Sequence, residues 1–526
     1  MPITGHSHRD VQRDRKTVWL LPAALEVDPL LADLGRAFSL SAEPPRRTVT
    51  TWFDTFDWRL YSRGILLYHD CTAWRLVNRD MEEEEVAALD APGRNDWGFC
   101  EEFPVSRLRS LLEPLLAERR LLRLFSKETI TVGARILNRD GKTVAQVMVE
   151  THQIAGSAPA FSTILLQGVR GYGRDFEEIS DFLSNYGISE QVNPYFFFAQ
   201  GVRSEGRSPL DYTAKFRPAL RPEMTARQAM VAVYSDLLTA MRRNESGVIE
   251  DLDTEFLHDF RVAVRRTRSG LGQVRKVLPA GATDTFRKGF AWLGEITSPC
   301  RDLDVYLLEE NRYRARLPDQ LRPGLEPFFA ELRSHRARAR QRLVRQLRSR
   351  RYRELITAWQ EFLDRGEEGE GPKNSGVPVT WLVCRIIDRR LSRLLKSGRA
   401  IHPSSLDDEY HRLRIQGKKL RYILEFFSTL FPEEEMERAI KELKYLQDNL
   451  GTFNDLAVQQ RELREYLAGL RSGSRRNLEQ AAAIGGLLAS LAQEQGRVRA
   501  EFAGRFAAFS RPESRALYRR FGQRES

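Results

Sequence analysis

Two stretches of the chain carry residue types suited to gripping an anion. The first, beginning at Glu255, reads E-F-L-H-D-F-R-V-A-V-R-R-T-R. At the helical repeat of about 3.6 residues per turn, His258, Arg261, Arg265 and Arg268 share one face, with Arg266 on its flank. Phe260, Val264, Leu271 and Val274 gather on the opposite face, the side built for burial. The second stretch, E-Y-H-R-L-R-I-Q-G-K-K-L-R, places His411, Arg414, Lys418, Lys419 and Arg421 at a constant offset of 153 from the first five (411 − 258, 421 − 268). Charge-assisted N–H to O⁻ bonds are the strong kind. Arginine offers a planar fork for two oxygens, and lysine a mobile point charge that tolerates slippage along a repetitive polymer. A histidine protonated beside phosphate adds both a donor and a charge. So many cations on one helix face repel one another unless an anion lies between them. The chemistry implied is the binding of a ligand with dense negative charge.

The repeat continues downstream, because Asp302-Leu303-x-Val305 lies over Asp455-Leu456-x-Val458 at the same 153-residue offset. One spacing held by separate segments argues for duplication of a helical unit. Two helical halves are expected, each turning one basic face towards the other. Asp302, Asp304 and Asp455 are read as structural partners of these arginines. No metal site is expected, since neither histidine has a second His, Cys or acid at i+4 on its own face. Neither a G-x-x-x-x-G-K-[ST] nucleotide loop nor a Ser/His/Asp arrangement occurs, so no catalytic residue and no cofactor is assigned.

Length and composition set the frame. The chain has 526 residues, 41% hydrophobic and 29% charged, enough for two or three ordinary domains. No apolar run approaches the ~18 residues of a membrane span, and the N-terminus M-P-I-T-G-H-S-H-R-D lacks a secretory core. A cytoplasmic protein is expected. Cys71, Cys100, Cys300 and Cys384 form no C-x-x-C pair and are read as buried small hydrophobes. The net charge of +11 is uneven: residues 1–215 hold 26 Lys+Arg against 30 Asp+Glu, residues 216–526 hold 57 against 42. A polyanion partner therefore belongs to the C-terminal part.

Along the chain, residues 1–16 read as a flexible tail and 17–203 as an antiparallel α+β domain. Its runs R-T-V-T-T-W-F-D-T and T-V-A-Q-V-M-V-E-T have strand character, Asp140-Gly141 signals a hairpin, and helices are expected near Leu108–Leu122 and Asp175–Tyr186. The acidic run Glu82–Glu85 reads as a solvated loop. Residues 204–222, with Pro209, Pro218 and Pro222, read as a linker. Thr225 is a candidate N-cap for an all-α part comprising repeat 1 (223–365), a Gly/Glu/Pro breaker (366–378) and repeat 2 (379–521). Arg333–Arg353, free of acids but keeping Leu343, Val344 and Leu347 as an apolar stripe, reads as the outer face of a bundle helix or as a further polyanion contact.

The two basic helices, with R-D-L-D-V after the first and Leu443, Leu446, Gln447, Leu450, Gly451, Asn454 and Asp455 after the second, resemble the CHAD family over about residues 223–521. The resemblance implies a bundle of two pseudo-symmetric halves whose basic surface binds inorganic polyphosphate through the ten residues named above. The stretch T-W-F-D-T-F-D-W-R-L-Y-S-R-G-I-L-L, with Phe53-Asp54-Thr55, Gly64 and then Trp74, resembles the CYTH family of triphosphate tunnel metalloenzymes. That family holds divalent metal with an E-x-E-x-K and later Glu residues, the oxygen ligands that hard cations require. Here the first strand reads T-V-W-L-L-P, L-L-Y-H-D stands where an Arg-rich strand belongs, and T-I-L-L-Q-G-V stands where acids belong. Glu150 alone does not assemble such a site, so a degenerate, non-catalytic CYTH-like tunnel domain is expected. The alternatives are a metal-dependent triphosphatase or polyphosphatase in that domain, and a nucleic-acid-binding protein. Against the second, the basic helices lack exposed aromatics for stacking bases, and their basic faces carry no Asn or Gln for reading base edges.

Overall fold

Period-two alternation of apolar and polar residues builds the N-terminal part, as expected for half-buried strands. The computed structural model describes residues 15–23, 25–79, 85–155, 160–188, 190–193, 195–365, 371–471 and 473–522. The strands are β1 (Lys16–Leu20), β2 (Ser39–Ala42), β3 (Arg46–Asp54), β4 (Ile65–His69), β5 (Ala73–Asn78), β6 (Glu85–Asp90), β7 (Leu122–Leu137), β8 (Thr143–Ile154) and β9 (Phe161–Gly168). All pair antiparallel in the order β1-β9-β8-β7-β3-β4-β5-β6, with β2 added to β7. The β7–β8 hairpin turns at Asp140-Gly141, where Asn138 Oδ1 accepts from the N–H groups of Asp140 and Lys142 and Gly141 takes φ 75°. Val147, Val149, Ile164 and Leu166 bury one face of this sheet in a core with Leu30 and Leu34 of α1 (Val27–Ala37) and Ile179 and Leu183 of α3 (Gly173–Asn185).

Two local expectations need correction here. The helix α2 (Arg107–Leu116) stops short of Leu122, because Ala117 takes φ 46° and Leu122 already belongs to β7. Cys71 is exposed and holds φ 70°, so only Cys100, Cys300 and Cys384 are the buried small hydrophobes expected. Glu82–Glu84 of the acidic run, like 366–370 of the breaker, lie outside the described residues, whereas Glu85 begins β6.

Contacts divide the chain into a unit ending at Thr213, whose last helix is α4 (Phe198–Ser204), and a helical unit beginning at Ala214. The second unit contains α5 (Ala226–Glu250), α6 (Thr254–Gln273), α7 (Ala280–Leu308), α8 (Glu310–Ala315), α9 (Glu326–Leu347), α10 (Arg350–Asp364), α11 (Val379–Arg399), α12 (Asp407–Phe426), α13 (Glu433–Gly469), α14 (Arg475–Phe509) and α15 (Pro512–Gly522). The starts of α5, α6 and α7 precede those of α11, α12 and α13 by the same 153 residues (379 − 226, 407 − 254, 433 − 280). Thr225 caps α5 in a reciprocal capping box with Gln228, and the Asp253 carboxylate caps α6 by accepting from Glu255 N and Phe256 N. In the first half Trp359, fully buried, packs edge-on against Tyr234, Phe286 and Phe290; in the second, Tyr410 packs on Phe453 and Phe502. Arg333–Arg353 is not one helix: Ser349 interrupts it and caps α10 by accepting from Tyr352 N.

The seam between α5 and α6 is close enough to need a glycine. A Cβ on Gly247 would stand 2.2 Å from Phe256 Cδ1. Gly247→Ala is therefore expected to destabilise the helical unit by about 1–3 kcal/mol through overpacking, read as a lower urea midpoint with unchanged slope.

Candidate anion-binding site

In α6 the buried apolar stripe turns the basic positions of the helix outward and towards α12 and α7, and the structure gives those positions distinct jobs. Arg261 is only 8% exposed and donates from one guanidinium nitrogen to Gly294 O, Thr297 Oγ1 and Ser298 Oγ of α7. Burial, with Arg265 and Arg301 alongside, pushes its guanidinium down to about 10, while Asp302 pulls the other way. Arg266 is taken up by Glu425, which it meets through two nitrogens at 3.2 and 2.7 Å, and it lies over the Phe216 ring. Arg421 donates to the other oxygen of the same Glu425 carboxylate. One acid, not singled out from the sequence, thus bridges a cation from each half, and Arg266 and Arg421 are structural rather than open grips.

The two histidines keep the duplication but not a common role. His258 Nδ1 accepts from Arg301 at 3.0 Å, which places a neutral ring's proton on Nε2. His411 Nδ1 donates to Asn454 Oδ1. Arg301 and Asn454 are themselves related by the offset of 153 (454 − 301), so the partner position is shared while its chemistry is changed. With Nδ1 donating, His411 offers a second donor to an anion only as imidazolium. The two rings therefore differ in what they offer an anion.

Of the acids, Asp455 accepts from Arg414 at 3.3 Å, Asp304 is held by Arg336, and Asp302 stands within electrostatic reach of Arg261, Arg265 and Arg301. Among the described residues, no group of three His, Cys, Asp or Glu side chains gathers as a metal site would require.

Arg265, Arg268, Lys418 and Lys419 remain facing open space. Together with Ser269, Arg287, Lys288 and Tyr422 they line a cleft of about 630 Å³ between α6, α7 and α12. The described residues lining it include no acid. Gly294 on α7 leaves room for Arg268, since a Cβ there would lie 2.7 Å from a guanidinium nitrogen. Buried Nε atoms of Arg261, Arg265 and Arg414 have no hydrogen-bond partner among the described residues, although buried polar groups are ordinarily paired. Of these three arginines only Arg265 lines the cleft itself. Arg287 and Lys288 of α7 were missed in the sequence because the pair is not repeated. At the offset of 153, Ile440 stands in place of Arg287, and only Lys288 has a basic counterpart, Lys441.

Lys418 records how close the two halves come. Burial first, then Arg414, Arg265 and Arg421, push its ammonium down to about 8 against the pull of Asp455. The free lysine value is near 10.4. Between these values the unfolded chain binds more protons than the folded one, so the apo protein gains stability as pH rises through that window. A bound polyanion favours the charged ammonium, so binding takes up a proton and weakens as pH rises through about 8. Affinity for polyphosphate is expected to fall several-fold between pH 7 and 9.5 in a fluorescence titration at fixed ionic strength. Lys418→Arg, which stays charged, is expected to flatten that dependence.

The first unit presents a different arrangement on the sheet face opposite α1 and α3. Lys127 is buried and meets His152 Nδ1 at 3.2 Å, and its ammonium lies 3.8 Å from the centre of the Phe197 ring. Burial lowers Lys127 to about 8, and burial with Lys127 lowers His152 to about 3. His152 also bonds Thr163 and lies 3.7 Å from Glu150. Trp52, Phe125, Phe197 and Phe198 form the buried core beside them, with Phe161, Tyr195 and Phe196 packed against it. Glu150 thus has a buried lysine and a neutral histidine for neighbours, which does not fit a divalent-metal site built from carboxylates. The Asp54 carboxylate accepts from the backbone N–H groups of Thr55, Leu60 and Tyr61, making it the holder of that loop, and Trp74 is buried with its indole N–H on Arg94 O.

Fold and site together define a duplicated helical domain whose two halves converge basic helix faces on a shared cleft. Residues 232–464 match the family model of the CHAD domain, and this region of the chain is a CHAD domain. Among solved structures, the chain is similar to the CHAD domain from the plant Ricinus communis, with 28% identity, a TM-score of 0.47, and coverage of 56% of this chain and 96% of that one. It is also similar to PptA from Streptomyces chartreusis at 14% identity and a TM-score of 0.43, covering 54% of this chain and 99% of that one. A putative adenylyl cyclase from Hippeastrum, described as having a dominant triphosphatase activity, matches at 16% identity and a TM-score of 0.29, covering 38% of this chain and all (100%) of that one. A search of curated proteins gives no match. Among the described residues no helix is long and apolar enough to cross a membrane.

Proposed function

We propose that the CHAD domain binds inorganic polyphosphate in the cleft between its two halves. The observation that carries this reading is the convergence of Arg265 and Arg268 with Lys418 and Lys419 around a cleft whose described lining has no acid. A linear phosphate chain supplies about one charge per unit, and it can engage both arginine forks and lysine point charges without a fixed register.

The N-terminal unit is read as a degenerate CYTH-like domain without catalysis. Support comes from a buried Lys127 ammonium over the Phe197 ring, from a His152 that burial and Lys127 keep neutral, and from a Glu150 that, among the described residues, is joined by no metal-binding group of acids. In the cell the protein would act in the cytoplasm, with polyphosphate granules as its place of association. The test is direct binding of long-chain polyphosphate to the whole protein, combined with phosphate release from tripolyphosphate in Mg²⁺ or Mn²⁺. Binding without metal-dependent release is the expected result. Release that survives R265A/K418A but is lost in E150A would transfer the function to a triphosphatase in the first unit.

A further inference from the structure

A second basic cleft opens where the first one ends. Arg268, Ser269 and Lys419, which line the cleft between the halves, also line a cavity of about 690 Å³ that runs to α11. Arg385, Arg389, Arg390 and Arg393 of α11 wall this cavity, with Arg275, Lys276 and Lys373 at its rim, and again no described lining residue is acidic. The α11 arginines follow a helical spacing that puts them on one side, and Arg385, Arg389 and Arg393 are exposed. Arg385 is fixed by stacking over the Trp381 ring at 4.5 Å.

Two features show a built surface. Lys276 adopts φ 62°, a backbone conformation uncommon for a side chain of its kind. It is held there by Asn374, whose N–H donates to Lys276 O at 2.8 Å and whose amide donates to Arg275 O at 2.9 Å. Arg390 is half-buried, and its guanidinium is pushed down by burial and by Arg393, Arg275 and Arg389, a gathering of like charge.

The feature is also one-sided. At the offset of 153 that relates α5 to α11, the counterparts of Arg385, Arg389, Arg390 and Arg393 are Ala232, Asp236, Leu237 and Ala240. The duplication therefore accounts for the first cleft and not for the second.

We propose that the α11 cavity is an extension subsite that takes the continuation of a long phosphate chain leaving the paired faces through Arg268 and Lys419. The chain runs out on this side only, and the subsite makes the domain discriminate by chain length: tripolyphosphate is held by the paired faces, and a chain of tens of phosphates also engages α11. This inference rests on the polyphosphate reading of the paired faces.

The experiment compares binding of long-chain polyphosphate and tripolyphosphate across a salt series in four full-length proteins. These are the wild type, R385A/R389A/R393A in α11, R265A/K418A in the paired faces, and R342A/R345A/R348A, a charge-matched control at exposed positions of α9 and its C-cap. The α11 variant is expected to lose about tenfold or more in long-chain affinity while tripolyphosphate binding stays unchanged. Its plot of log affinity against log salt is expected to become shallower by about 2 for the three charges removed. The control should match the wild type, and R265A/K418A should lose both ligands. R389Q/R393Q, which leaves the Trp381 stack intact, is expected to rank in the same order and covers the case in which the triple change loses helix content. An α11 variant that binds long chains as the control does, or that loses tripolyphosphate equally, overturns the subsite. So does an α11 variant that loses only a single-stranded RNA of matched charge. Long-chain binding untouched by R265A/K418A overturns the underlying polyphosphate reading instead.

Discussion

Long-chain polyphosphate is expected to bind the variant R265A/R268A/K418A/K419A about 1000-fold more weakly than the wild type. These four side chains line the cleft between the halves and face open space, unlike Arg261, Arg266 and Arg421, which have protein partners. A charge-assisted contact contributes about 1 kcal/mol or more net, and four of them amount to roughly three powers of ten. The loss should appear as faster dissociation at fixed salt, with a shallower salt dependence. The same four changes relieve repulsion between like charges, so the unliganded variant should unfold at equal or higher denaturant concentration. Equal affinity of variant and wild type would place the site elsewhere.

The second large effect concerns stability. Arg336 joins α9 to two other helices: its Nε donates to Asp304 of α7 at 2.8 Å, and its two terminal nitrogens donate to Asp251 at the end of α5. Asp304 is only 1% exposed, and burial pushes its carboxyl above the ordinary range while Arg336 pulls it down. Removing the arginine leaves an almost fully buried carboxyl without its ion-pair partner. Arg336→Met is therefore expected to destabilise the helical unit by about 3–5 kcal/mol, measured by urea unfolding followed by far-UV circular dichroism. The double change R336M/D304L, which removes both buried charges, should recover most of that loss. If the single and double variants are equally unstable, the ion pair is not what the arginine supplies.

These two effects separate what could be read from the chain and what could not. The apolar stripe of Phe260, Val264, Leu271 and Val274 and the constant offset of 153 were legible because periodicity and repetition are properties of the sequence itself. The Asp140-Gly141 turn and the Thr225 cap were legible because their chemistry is local. Glu425 was not, since its value lies in meeting Arg266 from the other half of the domain. Arg336 was hidden in a run without acids, where its neighbours suggested an outer face and its partners stand on α5 and α7. The opposed roles of His258 and His411 did leave a signal: Arg301 and Asn454 occupy one position of the repeat with different side chains. The α11 arginines were visible at helical spacing, yet they have no counterparts in the other half, so a reading led by duplication passed over them. In the N-terminal unit the missing acids were plain, whereas the packing of Phe197 over Lys127 depends on bringing the segment before α4 onto the sheet.

The central claim is that the paired basic faces of the CHAD domain form a site for inorganic polyphosphate, and competition tests it most directly. Labelled long-chain polyphosphate would be bound to the wild-type protein near physiological salt and challenged with unlabelled polyphosphate or with single-stranded RNA at equal phosphate concentration. The account predicts that polyphosphate displaces the label and that RNA does so only at phosphate concentrations at least about 100-fold higher, given clefts with arginine and lysine but few open aromatic faces. Displacement by RNA at equal phosphate concentration would contradict it, and would make the same basic surface a nucleic-acid site.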